Sequence, residues 1–279
     1  MKGIDPELLN RLKNELDEEF RLNLVPYWTR FARDDLNGGF MGRITWDNQK
    51  DYNAHKGGIL HARYLWAFSA AWRRYKLPEL KQAAHDAFAY FKNHFIDEEF
   101  GGFFWMLDAR GTIVDDKKHI YTQAFGIYGL MEYYAAFGDG KALELAHQIY
   151  HLIEDKAVDS KHGGYLEAFN RDWSPVEDTR LSKKDKNTPK SMNTHLHMLE
   201  AYTNLYRHRP TDALKTRLTR LIRIFCDHII NPRRTSLICF MDTDWTPLSG
   251  LISYGHNIET SWLLAEAAEV LKDKLLIDE

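Results

Sequence analysis

Apolar residues recur at helical spacing along eight stretches of the chain, and the stretches alternate between two kinds. In one kind the apolar residues cover one face, which is typical of a surface helix; in the other they surround the helix, which is typical of a buried one. This alternation predicts an inner layer of helices covered by an outer layer. The eight predicted helices are 6–24, 58–75, 78–96, 121–137, 141–156, 191–208, 211–230 and 257–272.

Short glycine-rich segments separate the helices at a regular interval. Residues 37–40, 100–103 and 162–165 each end in Gly-Gly-aromatic, and a divergent fourth copy spans 235–245. We interpret each copy as a β-hairpin or an extended loop. A period of about sixty residues is a multi-helix unit, so the repeat predicts an all-α toroid of helical hairpins. A superhelical solenoid is the alternative, although solenoid repeats are usually shorter.

Composition narrows the function classes. The 279 residues carry a net charge of −3, which gives no reason to expect nucleic acid or an anionic membrane as partner. Cys226 and Cys239 form neither a disulfide framework nor a zinc pattern. No apolar run reaches membrane-span length, and the first residues lack a signal peptide's apolar core. We therefore expect a single domain over 1–279 in a reducing cytoplasm.

Polar residues of the otherwise apolar helices lie near the helix starts. Inner helices of like orientation would bring these starts to one mouth, where buried polar groups require partners or a polar ligand. The set therefore predicts a binding site, whereas Arg63 alone would suit a paired or snorkelling surface arginine. The residues concerned are Arg63, Tyr121, Gln123, Asn193, His197, His256 and Glu259.

His256 and Glu259 stand three residues apart on one helical face. The positive end of the helix dipole disfavours an imidazolium, so the neutral ring of His256 can act as a base. A buried structural histidine with a capping glutamate is the alternative interpretation.

One polar stripe runs along the helix that begins near residue 191. Asn193, His197 and Glu200 share a face, whereas His195 points elsewhere and is expected to pack against a neighbour. The charged loop 178–190 precedes this helix, and its Asp185 either reaches a ligand at the mouth or belongs to a solvated surface loop.

The sequence favours neither a metal nor a cofactor. His-x-x-Glu occurs at 197/200 and 256/259, in the reverse order of the Glu-x-x-His of di-metal bundles and without their further carboxylates. Walker A, dinucleotide and nucleophile-elbow motifs are not found. A glycoside hydrolase would need two carboxylates flanking the scissile bond, but the predicted mouth offers mainly histidine and arginine.

Four stretches resemble the cellobiose 2-epimerases of the N-acylglucosamine 2-epimerase superfamily. They are LHARYLW at 60–66, YTQAFGIY at 121–128, KSMNTHLHMLEAY at 190–202 and SYGHNIETSWLL at 253–264. The resemblance implies an (α/α)6 toroid and, without metal or nicotinamide, epimerisation at C2 of the reducing-end glucose of β-1,4-linked disaccharides. Cellobiose would give glucosyl-mannose and lactose would give epilactose. N-acylglucosamine 2-epimerase or mannose isomerase activity is the near alternative, and a non-catalytic carbohydrate-binding fragment is the other.

The resemblance also implies roles for individual residues. A base removes the C2 proton, a cis-enediolate forms, and a proton returns to the opposite face. Catalysis would belong to His256, Glu259 and His197, and sugar binding to Arg63, Tyr121, Asn193 and Asp185.

Family chains are longer, and their later helices carry a second acid/base histidine and sugar-stacking tryptophans. The resemblance therefore implies an incomplete ring of about eight helices here. Exposed inner faces would favour a homo-oligomer. We expect little or no epimerase activity from the isolated monomer.

Overall fold

The computed structural model describes residues 5–233 and 235–278, so the domain predicted for 1–279 and the N-terminal residues considered as a signal peptide extend beyond it. The helices are α1 Pro6–Glu19, α2 Gly58–Tyr75, α3 Pro78–His94, α4 Ile120–Phe137, α5 Gly140–Lys156, α6 Met192–His208, α7 Asp212–Ile224, α8 Tyr254–Leu271 and α9 Lys274–Asp278. Short π-helical segments follow at Phe20–Leu24, Tyr27–Phe31 and Phe225–Ile229. The strands are β1 Lys56–Gly57, β2 Met106–Leu107, β3 Ile113–Asp115, β4 Lys118–His119, β5 Ala168–Phe169, β6 Lys190–Ser191 and β7 Phe240–Met241.

The long helices form the two predicted layers. In the inner layer α2 packs on α4, α4 on α6 and α6 on α8, while α3, α5 and α7 cover it from outside. Helices α4 and α6 bury most of their circumference, as an inner layer predicts. Helix α8 does not, because it buries only five of its 18 residues. We use "mouth" for the end of the inner layer at which α2, α4, α6 and α8 begin.

Two predicted helix boundaries are wrong. The first helix does not stop near Pro26, because π-helical turns before and after this residue continue the helical path to Phe31. Proline has no backbone N–H, and a widened helical turn tolerates the absence of this hydrogen bond. The last long helix begins at Tyr254, three residues before the predicted start at residue 257, so Gly255 lies inside its first turn.

The glycine-rich segments form tight, hairpin-like loops. Isolated antiparallel bridges close all four of them: Arg33 with Phe40, Ile96 with Phe103, Val158 with Tyr165, and Ile230 with Leu237. Beyond the loops, antiparallel pairing links each unit to the next: β1 pairs with β2, β4 with β5 and β6 with β7, and β3 extends the first sheet. The fourth copy is therefore a full structural repeat although its glycines are lost.

A buried Lys–Asp pair locks each of the first three loops. Lys56 reaches Asp34 at 2.9 Å, and at 2.8 Å Lys118 reaches Asp97 and Lys190 reaches Asp159. In each case the aspartate also accepts backbone N–H groups of its own loop. Burial alone would raise the pKa of Asp34 and Asp159, but hydrogen bonds from lysine and backbone hold the pKa below its ordinary value.

Apolar side chains remain exposed at both ends of the inner row. At one end an apolar groove of about 330 Å³ lies between the first helical segment and α2. At the other end α8 exposes Tyr254, Ile258 and Trp262, which are 79%, 73% and 50% accessible. Among the described residues, no helix has both the length and the apolar character required to cross a membrane.

Candidate active site

The inner helices present equivalent positions to the mouth. Counting from the first residue of each helix, the sixth residues of α2, α4, α6 and α8 are Arg63, Phe125, His197 and Glu259. They form a continuous row: the Arg63 guanidinium lies 4.4 Å from the Phe125 ring centre, and the Phe125 and His197 rings lie 4.6 Å apart. Glu259 completes the row beside His197. Three of the seven polar residues predicted near the helix starts, Arg63, His197 and Glu259, belong to this row, and the apolar Phe125 fills its α4 position.

The fourth residues of α4, α6 and α8 have a different role, which is to hold the preceding loops. Gln123 Oε1, His195 Nε2 and Asn257 Oδ1 accept the backbone N–H of Phe103, Tyr165 and Leu237, respectively, in the preceding loops. His195 Nδ1–H also donates to the Ser191 carbonyl oxygen, so both ring nitrogens are used. His195 therefore packs inside the scaffold, as predicted from its place off the polar stripe. The prediction of Gln123 at the mouth is wrong, because both ends of its amide are bound to the Phe103 backbone.

Tyr121 joins the arginine end of the row to the histidine end. Arg63 Nη2 donates to the Tyr121 hydroxyl oxygen at 3.1 Å, and the Tyr121 ring meets that of His197 edge-on at 4.7 Å. Burial raises the pKa of Tyr121 to about 12, so the phenol stays neutral. His197 Nδ1–H donates to Glu200 Oε2 at 2.9 Å, which leaves Nε2 for a ligand.

His256 stands opposite His197. Its Nδ1 is hydrogen-bonded to Ser253 Oγ at 2.6 Å, so Nε2 is again the nitrogen left for a ligand. Burial holds the pKa of His256 below its ordinary value, which favours the neutral ring at neutral pH. One candidate ligand atom each from His197, His256 and Glu259 lies within 4.8 Å of the others. Two imidazoles and a carboxylate are donors that suit a transition metal, although the sequence predicts none.

A cavity of about 230 Å³ adjoins His256. Asn193 and Ser253 contribute to its wall from the α6 and α8 starts, and the charged loop 178–190 covers it from the side. Asp185 of that loop lines the cavity and accepts hydrogen bonds from the backbone N–H and hydroxyl of Ser182. The loop is therefore part of the cavity wall rather than a fully solvated excursion.

Sequence reasoning missed Glu167, which also lines this cavity. Its carboxyl is 4% exposed, and Oε1 accepts hydrogen bonds from the Ser191 and Thr194 hydroxyls. The residue lies in a loop outside every helical pattern, so periodicity carries no sign of it. A comparison of the repeats would have found it, because the equivalent residues are Trp105 and Cys239, neither of them acidic.

The seven predicted site residues all belong to one neighbourhood. Contacts link five of them in turn, and the cavity that contains His256 brings in the other two. Their individual roles stay predictions. The five are Arg63, Tyr121, His197, His256 and Glu259, and the other two are Asn193 and Asp185.

Comparison with known proteins assigns this architecture to a family. Residues 39–279 match the family profile described as N-acylglucosamine 2-epimerase (GlcNAc 2-epimerase). The chain is 46% identical to a cellobiose 2-epimerase of Bacteroides fragilis over 96% of its own length and 68% of that protein, and 39% identical to one of Ruminococcus albus over 94% and 66%. The cellobiose 2-epimerase structure from Bacillus thermoamylovorans superposes with a TM-score of 0.90 at 39% identity, covering 95% of this chain and 68% of that one. The chain thus spans about two thirds of the length of these relatives.

Proposed function

The chain belongs to the N-acylglucosamine 2-epimerase family, and from this we propose that its mouth binds the reducing-end sugar of a β-1,4-linked disaccharide such as cellobiose and activates the C2–H bond. The observation that carries the proposal is the convergence of His197, His256 and Glu259 within 4.8 Å, with Arg63 and Tyr121 in the adjoining row. The fold of this region is that of the relatives' (α/α) toroid.

The chemistry begins with the open-chain aldehyde. Nε2 of His256 removes the C2 proton, the C–H bonding electrons form a C1–C2 double bond, and negative charge develops on O1 as the cis-enediolate forms. Epimerisation requires that a proton then return to C2 from the opposite face. With its Nδ1 bound to Ser253 and its pKa held low by burial, His256 is oriented and neutral at the start of this step.

The row beside His256 supplies the stabilising groups. Arg63 is a permanent cation whose guanidinium is held by Tyr121 and the Phe125 face, so it suits the developing charge at O1 and O2. His197, held by Glu200, can donate a hydrogen bond from Nε2 when protonated or accept one from a sugar hydroxyl when neutral. Asn193 and Asp185 offer further polar contacts in the adjoining cavity.

Incubation with cellobiose and with lactose in deuterated water tests the proposal directly. Removal of the C2 proton exposes the sugar to solvent deuterium, so we expect deuterium at C2, read by NMR. His256→Ala should abolish the exchange, whereas His151→Ala, an exposed histidine of outer helix α5, should leave it unchanged. No exchange in the unmodified chain, or equal loss in both variants, would contradict the assignment.

The same assay distinguishes the proposed disaccharide specificity from that of a mannose isomerase or an N-acylglucosamine 2-epimerase. If D-mannose or N-acetylmannosamine exchanges at C2 faster than cellobiose, the family chemistry holds and the disaccharide assignment is wrong.

A further inference from the structure

Two residues that line the 230 Å³ cavity each have a buried side-chain oxygen without a hydrogen-bond partner among the described residues: Glu167 Oε2 and Asn193 Oδ1. A buried polar atom without a partner costs free energy, and a native fold rarely retains two of them at one cavity unless something fills it. Both atoms accept hydrogen bonds, so the occupant they suit carries hydroxyl or amine donors.

The repeat shows that the fold does not need a carboxyl at Glu167. The first backbone N–H of α2, α4 and α6 donates to the carbonyl of one loop residue in each case: Gly58 to Trp105, Ile120 to Glu167 and Met192 to Cys239, at 2.9, 3.0 and 3.0 Å. Three unlike side chains therefore stand at one structural position. Because the shared bond uses only backbone atoms, the acidic side chain is a property of this unit alone.

We propose that Glu167 is a sugar-contacting residue, whose Oε2 binds a hydroxyl of the sugar placed at His256, with Asn193 Oδ1 binding another. This assignment rests on the proposed function and extends it to the inner wall of the cavity. The leading turns of α6 and α8 and the 178–190 loop all line this cavity, so Glu167 and Asp185 belong to the wall of the same space.

The rest of the Glu167 environment agrees with this role. Oε1 is held by two hydroxyls at 2.8 and 2.7 Å, so the carboxyl is fixed before a ligand arrives. Burial raises the pKa of Glu167 to about 7, against the hydrogen bonds from Thr194 and Ser191 that lower it. A carboxyl that is protonated part of the time can both donate to and accept from a sugar hydroxyl, which is itself both donor and acceptor.

Calorimetric titration with cellobiose tests the assignment on three forms of the full chain. Glu167→Leu preserves the bulk of the side chain and removes both oxygens; we expect about tenfold weaker binding, the loss typical of a hydrogen bond to an ionisable group. Thr194→Val removes a hydroxyl that holds Glu167 but leaves Oε2 in the cavity, and should bind within about twofold of the unmodified chain. Equal affinity in Glu167→Leu, or an equal loss in Thr194→Val, would show that the carboxyl acts only on the scaffold.

A second measurement needs no stable leucine variant. The side-chain carboxyl ¹³C resonance of Glu167, assigned by its absence in Glu167→Gln, should shift when cellobiose saturates the unmodified chain. A resonance that stays in place at saturation overturns the proposal. If the unmodified chain exchanges C2 deuterium while its Glu167 signal does not respond, only this assignment fails; if it neither binds nor exchanges, the proposed function fails with it.

Discussion

Each of the two candidate catalytic histidines has one ring nitrogen committed to a neighbour on its own segment. Nδ1 of His197 is bound to Glu200, and Nδ1 of His256 to Ser253, each at a separation of three residues. Such contacts set the tautomer and the ring plane, so the sugar meets Nε2 in both cases. The two rings nevertheless differ, because one partner is a carboxylate and the other a hydroxyl.

Tyr121→Phe separates the positioning of Arg63 from its charge. Loss of the hydroxyl oxygen removes an acceptor for Arg63, and one hydrogen bond of this kind is worth about 1 kcal/mol, so we expect about fivefold weaker cellobiose binding by calorimetry. Tyr134→Phe is a matched control, because Tyr134 lies on the same helix and its hydroxyl accepts from Arg209 away from the mouth. Equal losses in both variants would contradict the role of Tyr121.

Residue-scale prediction succeeds where partners share a helix and fails where they do not. The contact of His197 with Glu200 follows from helical spacing alone. Glu167 could not be found this way, since its partner Ser191 is 24 residues away and reaches it through loop geometry. The contact of Ser253 with His256 is not predicted either, because the predicted helix starts at residue 257 and the observed one at Tyr254, directly after Ser253.

At the scale of elements, α4, α6 and α8 do two jobs with the fourth and sixth residues of their leading turns. The fourth residue fastens the preceding loop and the sixth faces the mouth. The loops need only a backbone N–H acceptor, and glutamine, histidine and asparagine all supply one. Several residue types can therefore serve at the fourth position, because each supplies the same kind of acceptor. At the sixth position the side chains have different chemistry in every inner helix.

His195→Gln tests whether glutamine can replace histidine at this position, and how histidine makes the stability of the chain depend on pH. Burial lowers the pKa of His195 to about 4, so between pH 6.5 and 4 the unfolded chain binds a proton that the native chain does not. Stability then falls as pH falls through that window. Glutamine, which fills this position in α4, should keep the stability within about 1 kcal/mol at pH 7. It should also flatten the decline, measured by urea unfolding at pH 7 and pH 5.

His195→Ala supplies the contrast for that experiment. It leaves the Tyr165 N–H without its acceptor, so it should destabilise the chain at both pH values. A glutamine variant as unstable as the alanine variant would disprove the equivalence of the two positions.

The layers were predictable from the sequence, and the helix ends were not. An apolar circumference marks an inner helix whatever its neighbours are. The predicted helix starts at Asn257, a residue type that suits turns and helix starts. In the structure its Oδ1 instead accepts a hydrogen bond from the backbone N–H of Leu237, 20 residues earlier. Such long-range hydrogen bonds override local preference without leaving a periodic signal.

At the scale of the whole molecule, the row α2-α4-α6-α8 has an apolar flank at each end. The exposed Ile258 and Trp262 of α8 and the groove beside α2 leave apolar side chains open to water at both ends of the row, and such surfaces often mark interaction sites. The proposed function assigns one base, His256, to the C2 proton and assigns no residue to its return from the opposite face. We therefore expect C2 exchange to exceed net epimerisation, and complete turnover of cellobiose by the monomer would contradict this.

Self-association is the expected behaviour of these flanks. Sedimentation velocity across a hundredfold concentration range should show a rising sedimentation coefficient. The double variant Ile258→Glu with Trp262→Glu should suppress the rise. Lys215→Glu on outer helix α7 changes the net charge by the same amount and should not, because Lys215 lies outside the apolar flanks. A monomer at every concentration would refute the expectation.

Hydrogen bonds from two tryptophan side chains to earlier loops have a consequence for synthesis on the ribosome. The Phe100 carbonyl accepts a hydrogen bond from the indole N–H of Trp173, and the His162 carbonyl accepts one from Trp245, so these two loops gain the contact from side chains translated 73 and 83 residues later. During synthesis each of the two loops therefore lacks this contact until the next repeat has been made. Each of these loops is completed only after the following repeat has been synthesised. Until then, it is the part of the nascent chain that a chaperone would most need to protect.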